Sequence, residues 1–241
     1  MQFPKAQPSA DSLGEVEADD GFLYYIKGDV SGKATRASEW LGTQLAEAVG
    51  LAAPAPCIIE LQDGSKVFGS RRIAGVADAT VTATFLTTST LSNLNTPVAG
   101  LQALLSKIYA YDMFFLNDDR HLGNYLSVDD KGRRRLYAFD FSRALFWTWP
   151  WNQTYPAPPS NTRKWGAALR RLHGFNETSA LSTLDAIAGL APPVIGGFIN
   201  QMPADWMTAD LRDAFAEVWS GTECELRVDA LRKGFKDGTL L

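Results

Sequence analysis

The sequence predicts an α+β fold in two lobes, a strand-rich N-terminal lobe carrying one helix and a mainly helical C-terminal lobe. Three observations lead there. Residues 14–73 contain four short β-like runs, with Asp-Gly turn signals between paired runs, around one amphipathic helical stretch. Residues 160–241 read mainly as helices. Between these regions an apolar helix leads into a cluster of acid and amide side chains, Asn117-Asp118-Asp119-Arg120-His121-Leu122-Gly123-Asn124, with Asp140 sixteen residues beyond Asn124. The expected division is an N-terminal lobe over 1–75, a crossover over 76–97 and a C-terminal lobe over 98–241.

Bulk properties permit this plan. At 241 residues and 46% hydrophobic side chains, the chain can bury a core in one large domain or in two lobes sharing a cleft. A net charge of −4 argues against a protein whose main surface coats nucleic acid, so no direct nucleic-acid binding is expected. Cys57 and Cys224 stand far apart, and Cys57 lies in an apolar run, which reads as a small core residue and not as half of a disulfide. Because the only histidines are His121 and His173, a multi-histidine metal site is excluded. Carboxylate and amide oxygens remain, and they suit Mg²⁺. The start, Met1-Gln2-Phe3-Pro4-Lys5, lacks the apolar centre of a signal peptide, and no apolar run is long enough to span a bilayer. The expected location is cytoplasmic, or a host cell into which the protein is delivered as an effector.

In chain order, Ala18-Asp19-Asp20-Gly21 is a hairpin turn between two β-like runs, and Lys27 ends the second, after Phe22-Leu23-Tyr24-Tyr25-Ile26. Taken alone, Lys27 reads as a solvated lysine at a strand end. A helix is expected from about Ala37 to Val49, with Trp40, Leu41, Leu45, Ala48 and Val49 on its apolar face and Gly50 as its stop. Glu39 falls in its first turn, where it either complements the helix dipole or pairs with Lys27. Strands follow at 57–61 and 66–73, joined by Gln62-Asp63-Gly64-Ser65. Residues 74–96 are rich in Ala, Thr, Ser and Asn with weak periodicity, and are read as the crossover plus a mobile segment.

The apolar helix runs from about Val98 to Phe115, and the acidic cluster lies between it and a hairpin of 125–128 and 135–139. Residues 146–159 are rich in Trp and Pro, which forbids regular structure through much of the stretch. This stretch is either a rigid packed loop or a platform for a protein substrate. Helices are then expected at 179–190, 192–202, 208–219 and 222–235.

Phosphoryl transfer from ATP needs a carboxylate near the acceptor hydroxyl, oxygen ligands for Mg²⁺ and a cation on the phosphates. Asp119 has the chemistry of the first, Asn124 and Asp140 of the second, and Lys27, held by Glu39, of the third. An Asp and an Asn five apart are weak evidence alone, and Asp118, Asp119 and Asp140 also read as turn and strand-end residues. The ordered set is far more specific: strand Lys, helix Glu, apolar helix, N-x-D-R-H-x-x-N, hairpin, then an Asp between aromatics.

Asn117-x-Asp119-x-His121-x-x-Asn124 with the downstream Asp140 resembles the HipA-like family of serine/threonine kinases. The same core is similar to that of the phosphoinositide kinases, which share the atypical-kinase fold. Ser38-Glu39-Trp40-Leu41 through Leu51 and Pro54 also looks like the HipA-like N-lobe helix and its following turn, so the resemblance covers residues 20–145. It implies a two-lobed protein-kinase-like fold with Asp119 as catalytic base, Asn124 and Asp140 as Mg²⁺ ligands, and Lys27 on the ATP phosphates. The motif His follows the Asp instead of preceding it, which favours this branch and makes His121 a brace for the loop. The sequence departs from kinase patterns in three ways. The stretch Ala6–Leu13 offers Ser9 and Ser12, candidates for autophosphorylation, where a glycine-rich loop would stand. Phe141-Ser142 follows Asp140 where many kinases have glycine, and the chain is short for a HipA-like toxin.

The resemblance therefore implies an ATP- and Mg²⁺-dependent kinase of Ser/Thr residues on a protein, with a toxin or effector role and an antitoxin or accessory protein as partner. The alternatives are a lipid or small-molecule kinase of the phosphoinositide-kinase type, and a pseudokinase binding module.

Overall fold

The computed structural model describes residues 2–3, 12–30, 32–88 and 100–241. Five antiparallel strands form the N-terminal sheet: β1 (Gln2–Phe3), β2 (Ser12–Glu17), β3 (Leu23–Lys27), β4 (Pro56–Glu60) and β5 (Lys66–Arg71), in the order β1-β2-β3-β5-β4. Both Asp-Gly turns form where the sequence places them. Gly21 and Gly64 take φ of +77° and +81°, which glycine adopts without steric cost. Asp20 fixes the first turn by accepting from Phe22 N (3.0 Å) and from the Tyr24 hydroxyl (2.7 Å).

Strand alternation sends neighbouring side chains to opposite faces of this sheet. Tyr24, Ile26, Ile59 and Val67 pack into a small core on one face. Lys27 pairs in register with Phe68, so both project from the other face, where α1 (Thr35–Ala48) lies. Phe68, Trp40, Leu41 and Leu45 there join the large core shared with the C-terminal helices. The helix begins two residues before the expected Ala37, which places Glu39 at its fifth residue, beyond the first turn. Glu39 is 2% exposed, so the dipole reading gives way to one of a buried, paired carboxylate.

The crossover is more structured than expected. Within it, Ala79–Thr87 is a helix, α2, packed on the hairpin below: Ala77 N donates to Ser127 O (2.9 Å), and the Thr82 and Ser127 hydroxyls lie 2.9 Å apart. Its β-branched threonines hid it, since each is individually a poor helix former and tertiary contacts decide. Residues 89–97 of the crossover, and Ser9 with its neighbours at 6–11, lie outside the described residues.

The helix α3 (Leu101–Phe114) is the axis of the C-terminal part, and Tyr111, Met113 and Phe114 are fully enclosed. The hairpin of β6 (Tyr125–Asp130) and β7 (Arg133–Ala138) turns tightly at Lys131-Gly132, both with positive φ. Helices α4 (Asn161–His173), α5 (Glu177–Ala188), α6 (Pro192–Asn200), α7 (Ala209–Ser220) and α8 (Glu223–Lys236) complete the fold. The last four match expectation, whereas α4 was not anticipated. Cys57 and Cys224 are both free thiols. No single helix among the described residues is long and apolar enough to cross a membrane.

Two ties join the sheet and α1 to the far helices. The Trp40 indole donates to Phe198 O of α6 (3.0 Å), and the Trp206 indole donates to Lys66 O at the start of β5 (3.1 Å). Arg36 adds bonds to Asp29, Lys66 O and Asp205. The first half of the Trp- and Pro-rich stretch packs into the helical core, and much of the second half is exposed. Phe146, Trp149 and Trp151 form an aromatic cluster with Phe114, Phe115, Phe215 and Trp219. Buried Arg227 of α8 donates to Gln153 O (3.0 Å) and Thr154 O (2.9 Å) in the loop, and to Phe114 O (2.6 Å) of α3.

Candidate active site

Lys27 sits at the end of a strand held on both sides, by β2 and β5, so its side chain leaves a rigid edge. Its Nζ lies 2.5 Å from Glu39 Oε1 and 2.7 Å from Asp140 Oδ1. Glu39 Oε2 also accepts from the backbone N–H of Phe141 (3.1 Å). One carboxylate on α1 therefore fixes both the lysine and the backbone beside Asp140. The close approach depends on Gly42, because a Cβ there would lie 2.5 Å from Phe141 Cβ. Lys27, Glu39 and Asp140 come together from 113 residues of sequence separation.

Asp140 has φ of +62°, a left-handed conformation that Asp tolerates better than most residues. Its Oδ1 accepts from Lys27 and from the Ser142 hydroxyl (2.7 Å). Burial acts to raise its pKa, but the Lys27 charge and these hydrogen bonds win and hold it well below the usual carboxylate range. Glu39 goes the other way. Full burial outweighs the pull of Lys27 and pushes its pKa up to about 7, with repulsion from Asp140 adding to the rise. Of the two carboxylates that share the lysine, Asp140 is the one that keeps its charge.

The acidic cluster is a loop built on a buried ion pair. Arg120 Nε and NH2 donate to the two oxygens of Asp112 on α3 (2.8 and 2.9 Å), and both residues are almost wholly buried. Burial opposes the guanidinium charge, yet Asp112 more than offsets it and keeps Arg120 protonated. Arg120 also donates to Asn124 O (3.0 Å) and to Phe139 O, thereby stapling the loop to the residue before Asp140. Phe139 N donates to Asn124 O (3.2 Å), which sets Asn124 and Asp140 side by side. His121 Nδ1 accepts from Gly123 N (3.0 Å) and caps a short 3₁₀ turn over Leu122–Asn124, the bracing arrangement expected of it.

Asn124 is 3% exposed, and its side-chain oxygen is buried with no hydrogen-bond partner among the described residues. A buried amide oxygen without a donor is costly unless something else takes it up. Beside an ionised Asp140, it suits a hard cation. No group of three or more His, Cys, Asp or Glu among the described residues is arranged to hold a metal. A magnesium ion here would thus have two protein ligands, with phosphate and water oxygens for the rest, which is how Mg²⁺ usually sits.

A family model for the HipA-like kinase matches residues 15–153, more than half of the chain and all of the residues above. The chain belongs to the HipA-like kinase family. Solved structures agree on the fold. A Helicobacter pylori proinflammatory kinase, CtkA, superposes with a TM-score of 0.56 at 13% identity, covering 96% of this chain and 94% of that one. HipA of Shewanella oneidensis MR-1, from a complex with HipB and operator DNA, gives a TM-score of 0.57 at 13% identity, covering 95% of this chain and 67% of that one. No curated protein matches the sequence significantly. The architecture is that of a kinase, with a small antiparallel sheet N-terminally and a helical C-terminal part.

For this HipA-like kinase, Asp119 is the remaining predicted site residue. It lies on the same loop, its N–H donating to Asn117 Oδ1 (3.2 Å) and its Oδ1 accepting from Asn161 Nδ2 (2.5 Å). Asp112, Ser142, Asn161 and Thr162 also shape the site, and sequence reading did not find them. Ser142 was noticed only as a missing glycine. Asp112 is the one acidic residue of α3, a signal that could have flagged a buried partner for Arg120. Asn161 and Thr162 gave no signal, since they open a helix that was itself missed.

Proposed function

We propose that this protein is an ATP- and Mg²⁺-dependent kinase that phosphorylates Ser or Thr residues of a protein. The observation that carries the reading is Lys27 held between Glu39 and Asp140. A cation fixed at the end of a strand paired on both sides, next to an ionised Asp and an Asn oxygen without a partner among the described residues, suits a nucleotide's phosphates. In this reading residues 1–75 form the nucleotide-binding lobe, 76–97 the crossover and 98–241 the lobe carrying the catalytic loop. Lys27 binds the phosphates, Glu39 positions it, and Asn124 and Asp140 hold the metal. Magnesium supplies charge neutralisation on the phosphates. Asp119 orients the acceptor hydroxyl. As the acceptor oxygen bonds to the γ-phosphorus, the bond to the β–γ bridging oxygen breaks and ADP leaves, while the hydroxyl proton passes to Asp119.

The partner proposal is an accessory protein that restrains the kinase, in a toxin or effector role within the cytoplasm or a host cell. It is supported by the fold shared with HipA, which was solved together with HipB.

The test is incubation with γ-labelled ATP and Mg²⁺, presenting casein, the protein itself and phosphoinositide vesicles as acceptors. Transfer to protein that falls by about 10²–10⁴-fold in Asp119→Ala supports the reading. Transfer to lipid alone would replace it with a lipid kinase, and nucleotide binding without transfer would leave a binding module.

A further inference from the structure

The geometry points to Asn161, the first residue of α4, as the positioning residue that sets the orientation of the Asp119 carboxylate for phosphoryl transfer. The inference rests on the kinase reading and adds a residue to it.

Asn161 reaches Asp119 from 42 positions away in sequence, and its Nδ2 lies 2.5 Å from Asp119 Oδ1. An ionised carboxylate only accepts, so the amide's NH₂ end must face it. Asp119 Oδ2 has no hydrogen bond among the described residues. The carboxylate is thus tethered through one oxygen and presents the other, as a base must if it is to receive a proton along one direction.

The support behind Asn161 shows that the contact is built in. Ser160 caps α4, its Oγ accepting from Arg163 N (3.3 Å). Thr162 Oγ1 donates to Asn117 O (2.5 Å) and accepts from Arg120 N (2.9 Å), while Thr162 N donates to Asp118 O (3.4 Å). The start of α4 therefore grips the backbone on both sides of Asp119, and Asn161 holds the side chain between those grips. Thr162 alone explains why the helix docks. The Asn161 side chain makes one hydrogen bond among the described residues, and it goes to Asp119.

The experiment compares wild type, Asp119→Ala, Asn161→Leu and Asn161→Asp, with γ-labelled ATP and casein or the protein itself as acceptor. An acidic side chain at the first turn of a helix suits its dipole, so Asn161→Asp retains the fold, and melting curves check this. Expected for Asn161→Leu is a kcat 10–100-fold lower with KM for ATP unchanged. In Asn161→Asp two carboxyls would face each other at hydrogen-bond distance. The variant should lose activity at high pH, where two ionised carboxylates cannot hydrogen-bond, and recover toward wild type as pH falls and a shared proton restores the donor. A purely structural role would instead lower the melting temperature of Asn161→Asp at high pH in step with the loss of kcat.

Wild-type kcat in Asn161→Leu beside an inactive Asp119→Ala overturns this inference and leaves the kinase reading standing. So does a deficit in Asn161→Asp that does not change with pH. An inactive wild type, or an active Asp119→Ala, overturns the kinase reading and this inference together.

Discussion

Lys27 touches two carboxylates that respond to it differently, and the difference can be measured. Glu39 has its pKa raised from the ordinary 4.5 to about 7 by burial, so between those values the folded protein holds a proton that the unfolded chain has released. Its contribution to stability must fall as pH rises through that window. Asp140 is depressed and stays ionised throughout, so it adds no slope there. Glu39→Gln removes the titration, and the melting temperature of wild type relative to this variant should therefore drop between pH 5 and pH 7.5. A difference that is flat with pH would show that Glu39 does not titrate in this range. At the residue scale, order and spacing single out Lys27, Glu39, Asp119, Asn124 and Asp140 as candidates, and the fold brings Lys27, Glu39 and Asp140 into contact. What could not be read is how Asp119 and Arg120 are held. Their partners Asn161, Thr162 and Asp112 are chosen by tertiary approach, and no local pattern records that.

Among the elements, α1 deserves its central place because it faces both ways. It covers the sheet through Trp40, Leu41 and Leu45 while its glycine lets Phe141 come close. Gly42→Ala should push α1 and Phe141 apart, since the new methyl would sit 2.5 Å from Phe141 Cβ. Neither neighbour can swing away cheaply, because Phe141 is fully buried and Glu39 holds its N–H. The expected cost is about 1–3 kcal/mol in denaturant unfolding, together with weaker nucleotide binding as Glu39 moves off Lys27. Unchanged unfolding would mean that the helix shifts freely. Hairpins were the easiest elements to read, as Asp-Gly turns and alternating apolar residues specify them locally. The helix α4 was the hardest, because Arg163, Lys164, Arg170 and Arg171, though gathered on one face, make the stretch polar on average. Only Thr162 and Leu169 are buried in it.

Over the whole molecule, the loop that leaves Asp140 and returns at Asn161 has both ends in the candidate active site, and its middle is held by Arg227. Replacing Arg227 with Met keeps the apolar packing against Trp151 but leaves the carbonyls of Phe114, Gln153 and Thr154 without their donor. Losing these charge-assisted bonds should cost on the order of 2–4 kcal/mol. It should also make the loop near Gln153 the first site of limited proteolysis. If cleavage begins elsewhere at an unchanged rate, Arg227 does not restrain the loop. The two-lobed plan was legible from the contrast between strand-rich and helix-rich regions. The ties that fix the lobes, Trp40 to Phe198 and Trp206 to Lys66, were not, because an indole N–H leaves no trace in the sequence of the carbonyl it will find.

The grip of Arg227 also orders events during synthesis. A ribosome releases the catalytic motif at 117–124 roughly a hundred residues before it releases α8. Until then the strap between Asp140 and Asn161 lacks the bonds that Arg227 gives to Gln153 O and Thr154 O. A nascent chain can therefore carry every candidate site residue before the strap between Asp140 and Asn161 is pinned, so this loop is completed late in translation.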